Sequence, residues 1–176
     1  MKNCVALVAL IAASLSPSLA FAATASSSMT VSTTVVQSCK IVSVTNLTFG
    51  QYLPTTTNAT QPLDSTNSVQ VSCVAGSTGV SIALDQGQNA TSSSTCDSPQ
   101  RRMASTSGDF LSYQIFSNST RTLPYGCSAG VNTKDFAANA FTSTDAVTVT
   151  QYGRIPAGQD PKKASYTDTV GVTVTF

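Results

Sequence analysis

The chain of 176 residues contains no histidine, and its eight acidic residues are all aspartates. Without histidine, the Ser–His–Asp and Cys–His arrangements of nucleophilic catalysis are excluded, as are metal sites with a histidine ligand. There is no C-x-x-C spacing, no G-x-S-x-G elbow and no phosphate-binding G-x-x-x-x-G-K-[ST] loop. A pair of aspartates could still act as in a glycosidase, and Asp85 with Asp109 is one such pair, but nothing else in the sequence supports it. We therefore expect no enzymatic activity, no cofactor and no metal.

Charge is also scarce, since only 10% of the residues are charged and the nine basic residues form no cluster. A nearly neutral chain gives no electrostatic reason to bind nucleic acid. Beyond residue 22, no segment approaches the roughly 20 apolar residues that a membrane-spanning helix needs. We expect neither nucleic-acid binding nor membrane insertion.

The N-terminus has the pattern of a secretory signal peptide. Lys2 precedes an apolar run from Cys4 to about Ala13, and Ala20-Phe21-Ala22 is a small-x-small cleavage signature. We predict a signal peptide over residues 1–22 with cleavage after Ala22, Ala23 being the alternative. Cys4 precedes the apolar run, unlike a lipoprotein cysteine, and is removed with the signal.

Four cysteines remain after cleavage: Cys39, Cys73, Cys96 and Cys127. In an oxidising compartment an even set favours two disulfides, and four cysteines allow three pairings. We favour the sequential pairing, Cys39–Cys73 and Cys96–Cys127, because Cys39 and Cys73 each end an alternating, strand-like run. Each bond would close a loop of roughly 30 residues, which is worth about 3–4 kcal/mol in the chain-entropy model.

The chain between its loops consists mainly of Val, Thr, Ile, Ser and aromatic residues, with no i, i+3, i+4, i+7 pattern of a helix. Many short strands separated by Gly, Pro and Asn turns predict an antiparallel β-sandwich. The predicted strands are Val35–Val44, Ser68–Val74, Thr78–Asp85, Phe110–Ser117, Ala146–Ile155 and Tyr166–Phe176, with a possible short strand at Leu47–Tyr52.

The two ends of the mature chain have related patterns. The stretch Met29–Val35 alternates apolar and polar residues, so a strand would carry Met29, Val31 and Val35 on one face. The last predicted strand places four apolar side chains on one face: Val170, Val172, Val174 and Phe176. A sandwich that ends on such a strand has no following strand to cover a long apolar edge, which must be paired to avoid aggregation.

The sequence resembles the spore coat protein U domain family, whose members include the Csu-type pilins of archaic chaperone–usher pili. The resemblance covers nearly the whole mature chain. The matching residues, in the family's order, are Cys39, Phe49–Tyr52, Val69–Cys73, Arg101–Met103, Leu111–Phe116, Tyr152–Pro156, Gln159 and Tyr166–Asp168. Two positions depart from the family pattern: Ala164-Ser165 replaces a glycine, and Thr33 stands at a donor-face position that is usually apolar.

The resemblance implies an incomplete immunoglobulin-like antiparallel sandwich that lacks its final strand. A periplasmic chaperone lends the missing strand, and an outer-membrane usher exchanges it for the N-terminal extension of the neighbouring subunit. By this resemblance, residues 23–34 are the donor extension and residues 35–176 the pilin domain. The donor strand presents Met29, Val31, Thr33 and Val35, and the acceptor and chaperone-binding edge presents Val170, Val172, Val174 and Phe176.

The implied function is that of a structural pilus subunit that is exported to the periplasm, polymerises on the cell surface and supports adhesion and biofilm formation. Two alternatives remain: a spore or cell-surface coat protein that assembles in the same way, and a secreted monomeric binding module that folds back its own N-terminus. Arg101-Arg102 is interpreted as part of a solvated loop, with a ligand contact as the alternative, and Lys162-Lys163 as solvation of an edge loop.

Overall fold

The computed structural model describes residues 22–176, so the predicted signal peptide, apart from Ala22, lies outside the described residues. The chain divides into two units between Thr34 and Val35. Residues 22–34 contain no helix and no strand, and their side chains are exposed. The second unit, residues 35–176, contains every described strand.

The second unit is built from short strands, with a single helical turn, α1 (Thr57–Thr60), among the described residues. The strands are β1 (Cys39–Val44), β2 (Leu63–Cys73), β3 (Ser81–Leu84), β4 (Arg101–Ala104), β5 (Phe110–Phe116), β6 (Lys134–Asp135), β7 (Val147–Ile155) and β8 (Val172–Thr175). No helix in this part of the chain is long and apolar enough to cross a membrane.

The strands form two antiparallel sheets, one in the order β1-β2-β7-β5-β4 and the other in the order β6-β3-β8. The predicted all-β, immunoglobulin-like antiparallel sandwich is therefore confirmed. The core lies between the two sheets, because alternate residues of β2, β3 and β7 point inward. Val69, Val71, Ile82 and Leu84 are almost completely buried there.

Two disulfides join neighbouring segments in the sequential pairing. Cys39 and Cys73 are directly opposite each other on β1 and β2, so their bond anchors the edge strand β1. Cys96 and Cys127 join the loop before β4 to the loop after β5.

The first and the last predicted strands begin several residues later in the structure than in the sequence pattern. The first begins at Cys39 and not at Val35. Before it, Gln37 bonds to Thr78 through its side-chain amide and not through its backbone: the amide donates to the Thr78 carbonyl and accepts from the Thr78 N–H. The last begins at Val172, not at Tyr166. Thr167 instead exchanges two backbone hydrogen bonds with Ala104 at the end of β4.

The prediction of a solvated loop at Arg101-Arg102 is wrong. Both residues belong to β4, and Arg101 is buried, where its guanidinium donates to the backbone oxygens of Leu84 and Asp85 and to the side chain of Gln114. Hydrogen bonds to several acceptors offset the cost of burying this cation. Arg102 lies over the ring of Phe110, 3.9 Å from its centroid.

An ion pair at the surface joins β2 to β7 near one end of the two strands. Asp64 and Arg154 are opposite residues of β2 and β7, and Nε and Nη2 of Arg154 donate to the two carboxylate oxygens of Asp64 at 2.7 and 2.8 Å. Arg121 Nη1 lies 3.3 Å from the same carboxylate. The hydrogen bond from Arg154 lowers the pKa of Asp64, against a smaller opposing effect of burial.

We predict that Asp64→Asn lowers the free energy of unfolding by up to about 1 kcal/mol at neutral pH. Because the folded pKa lies below the unfolded value of about 3.9, the stabilisation is present above that value and is lost as the pH falls through the folded pKa. Urea unfolding of both chains at neutral pH and at about pH 2 measures the difference. A difference that is unchanged in acid would contradict the role of the carboxylate.

Candidate strand-acceptor groove

The two sheets leave a pair of free strand edges on one side of the sandwich. Within the described residues, β1 pairs only with β2, and β8 pairs only with β3. Cα atoms of β1 and β8 approach within 8 Å of each other, but no ladder joins the two strands. Each edge therefore presents backbone N–H and C=O groups that a further strand could pair with.

The inward side chains along both edges are incompletely covered. Ile41 and Val44 are opposite Val71 and Val69 and so share their face. Yet Ile41 is 39% exposed and Val44 46% exposed, whereas both partners are fully buried. On β8, Val172 and Val174 are half-buried, although their partners on β3 are completely buried. The apolar core is thus open to solvent between β1 and β8.

A cavity of about 1190 Å³ lies at one end of this opening, where β1 ends and β8 begins. It is larger than ordinary ligand pockets, whose volumes are about 300–1,000 Å³. Its apolar lining includes Val44, Leu84, Leu111, Ile115, Ile155 and Val172. We define the opening between β1 and β8, together with this cavity, as the groove.

One wall of the groove is the segment after β1, where the possible strand Leu47–Tyr52 is not found. The side chains of this segment, and not a strand, form the wall. Leu47 and Phe49 cover Gly153, at which a Cβ atom would lie only 2.7 Å from Leu47 and 2.8 Å from Phe49. The Tyr52 hydroxyl donates to the Pro156 carbonyl at 2.9 Å. The missing side chain at Gly153 therefore leaves the space that Leu47 and Phe49 fill when this wall packs against β7.

The opposite wall is the segment that leads into β8, and Asp168 holds it. Its Oδ1 accepts hydrogen bonds from the backbone N–H of Gln88 and of Asn89 and from Asn89 Nδ2, at 3.0, 3.2 and 2.9 Å. Its Oδ2 accepts from the Tyr113 hydroxyl at 2.7 Å. Burial, and then this hydrogen bond, raise the pKa of Tyr113 well above its ordinary value, so the hydroxyl remains a donor.

Of the predicted acceptor residues, the structure places Val172 and Val174 on β8 and Val170 just before it, half-buried against the core. Phe176 follows β8 and is exposed. Of the predicted donor residues, Met29, Val31 and Val35 are 87%, 85% and 75% exposed, and Thr33 is exposed as well. All four lie outside the described strands.

The residues considered for catalysis have other partners. The Asp85 carboxylate accepts from the N–H of Gly87 at 2.8 Å, and the Asp109 carboxylate lies 2.7 Å from Lys162 Nζ. Over residues 22–176, no group of three or more acidic or cysteine side chains could hold a metal ion. The sequence-based reasoning missed Asp168 and the Leu47–Tyr52 wall as parts of the site, since their roles depend on contacts with distant strands.

These features define an antiparallel β-sandwich with one open, apolar edge. The model of the Spore Coat Protein U domain family matches residues 25–173. Protein U of Myxococcus xanthus is 35% identical over 182 aligned residues, which include 100% of this chain and 98% of that protein. The chain belongs to the spore coat protein U domain family.

Among solved structures, the chain is similar to part of a chaperone–tip adhesion subunit complex, CsuC–CsuE, from the archaic chaperone–usher Csu pili of Acinetobacter baumannii. The sequence identity is 24% and the TM-score is 0.48. The alignment covers 81% of this chain but only 40% of the length of the solved chain.

We predict that Asp168→Ala lowers the free energy of unfolding by at least about 2 kcal/mol, since four donors lose a charged acceptor. Tyr113→Phe removes one of these bonds and should cost about 1 kcal/mol. Asp160→Ala is the control, because Asp160 is exposed, and it should change stability by less than about 0.5 kcal/mol. Urea unfolding followed by circular dichroism measures all three. Equal stabilities for the two aspartate variants would show that Asp168 does not hold the wall.

Proposed function

We propose that this chain is a structural subunit of a chaperone–usher pilus, and that subunits join when the N-terminal segment of one enters the groove of another. The observation that carries the proposal is the open groove: two free strand edges flank apolar core side chains that no further strand of residues 35–176 covers. A strand inserted there would pair with β1 and β8 and bury its own alternate side chains in the core.

The segment Met29–Val35 has the properties that such a strand requires. It is exposed, and its apolar side chains alternate with Thr and Ser. Donation from each subunit to the next is a heterologous contact, which produces an open filament and not a closed dimer.

Before polymerisation, the groove would need a temporary occupant, since an exposed apolar edge promotes aggregation. We assign this role to a periplasmic chaperone that lends a strand and contacts Val170, Val172, Val174 and Phe176. An outer-membrane usher would then catalyse the exchange during export. The resulting surface filament would support adhesion and biofilm formation, without enzymatic activity.

A second candidate is a surface coat that assembles by the same exchange. The full-length similarity to Protein U and the name of the family favour it. Immunoelectron microscopy of intact cells distinguishes the two, since a pilus subunit labels thin filaments and a coat protein labels a continuous layer.

We predict that Val31→Asp abolishes the SDS-resistant polymers expected in surface extracts, because an unpaired carboxylate would be buried in the groove. Ser32→Asp is the matched control: the same charge on the opposite face of the strand should leave the polymers intact. Immunoblots of unheated and boiled extracts, without reductant, show ladders and monomers respectively. Ladders of equal intensity from both variants would exclude insertion of this face.

We predict that deletion of Thr24–Thr34 produces a subunit that accepts a strand but donates none. When it is co-expressed with the wild-type chain, it should shorten the ladder in proportion to its amount, because each incorporated copy ends a filament. A self-complemented monomer would instead lose stability and show no ladder in either strain.

A further inference from the structure

The mainly apolar floor of the groove contains a pair of polar side chains with unfilled hydrogen bonds. Asn67 of β2 and Gln151 of β7 are directly opposite each other, both point inward, and both line the cavity. Gln151 is only 2% exposed. The other polar side chain on the inward face of β2, Ser65, already donates to the Thr48 carbonyl at 2.6 Å.

This pair has one missing hydrogen-bond donor and one missing acceptor. The buried Nε2 of Gln151 has no acceptor, and the buried Oδ1 of Asn67 has no donor. Asn67 Nδ2, in contrast, donates to the Thr45 carbonyl at 2.9 Å, which holds the amide in place. A buried polar group without a partner costs roughly 1–3 kcal/mol, so the site favours a ligand that supplies both missing bonds.

A single hydroxyl group meets both requirements, because it donates one hydrogen bond and accepts others. Side chains opposite each other on neighbouring strands have Cβ atoms about 4.5–5.5 Å apart, so one hydroxyl can lie within reach of both amides. An apolar side chain at this place would supply neither bond.

The donor segment carries one hydroxyl on the face that would enter the groove. Met29, Val31 and Val35 are apolar, and Thr33 is the exception. A polar residue is unfavourable on a strand face that enters a purely apolar groove. One polar position in the strand therefore corresponds to one polar position in the groove.

We propose, on the basis of the proposed strand donation, that Thr33 of a second copy of this chain binds Asn67 and Gln151 in the groove. Its Oγ1 accepts from Gln151 Nε2, and its hydroxyl proton goes to Asn67 Oδ1. The pair fixes the register of the donated strand, because a shift by two residues would place Val31 or Val35 over the two amides. It also makes the groove selective for a donor with a hydroxyl at this position, which this chain itself provides.

A double-mutant cycle in the full chain tests the pairing, with the dissociation rate of the SDS-resistant ladder at a fixed temperature as the measured quantity. Thr33→Val leaves both Gln151 Nε2 and Asn67 Oδ1 unpaired, and Gln151→Met removes the donor to Thr33 Oγ1, so both should accelerate dissociation, Thr33→Val by about 5- to 100-fold. The double variant leaves only Asn67 Oδ1 without a partner, so it should dissociate no faster than Thr33→Val alone, which is less than the product of the two single effects.

Thr34→Val is the matched control, since it makes the same change on the opposite face and should leave the rate unchanged. If Thr33 instead faces an apolar pocket, Thr33→Val slows dissociation, and if a water molecule satisfies Gln151, the rate does not change. Either result, or additive effects in the double variant, overturns the pairing. Absence of a ladder from the wild-type chain would instead refute strand donation itself, so the two failures are distinguishable.

Discussion

The incomplete edge between β1 and β8 is the constraint on which the rest of this structure depends. A sheet edge exposes unpaired backbone groups, and here the apolar side chains behind that edge are exposed too. One additional strand would pair the backbone groups and also cover the apolar side chains. Under the proposed strand donation, assembly completes the sandwich, and its stability depends on the concentration and identity of the donated strand.

Several interactions keep the groove in a shape that can receive a strand. The Cys39–Cys73 bond ties β1 to β2, so this edge strand is held even though it has a neighbour on one side only. Asp168 fixes the segment before β8 through bonds to the loop after β3 and to Tyr113. In the proposed assembly, such preorganisation would lower the entropy cost of strand binding, since the walls are already ordered.

The polar pair Asn67 and Gln151 illustrates how affinity and selectivity can be separated in one groove. The apolar lining would stabilise any bound strand that has alternating apolar side chains. In the proposed complex, the unpaired Nε2 of Gln151 and Oδ1 of Asn67 would disfavour a strand that is apolar at this position, so specificity comes from a cost imposed on competing strands. A temporary occupant without the hydroxyl would be held less tightly, which would favour its replacement by Thr33 of the next subunit.

The amino-acid sequence alone determined the all-β class, the strong strands β2 and β7, the set of cysteines available for pairing and the alternating face of Met29–Val35. These features follow from local patterns, because side-chain alternation and turn residues act over a few positions.

The structure differs from the sequence-based prediction at Arg101 and at Tyr166–Val170, where local patterns are not sufficient. Arg101 looks solvated but is buried by acceptors from β3 and β5, and the run before β8 leaves the strand because Thr167 pairs with β4. Other features are visible only in the folded protein. Leu47 and Phe49 cover Gly153, Asp168 holds the groove wall, and Asn67 is opposite Gln151. These contacts join residues far apart in the chain, and their energies depend on burial and on partners that no local pattern specifies.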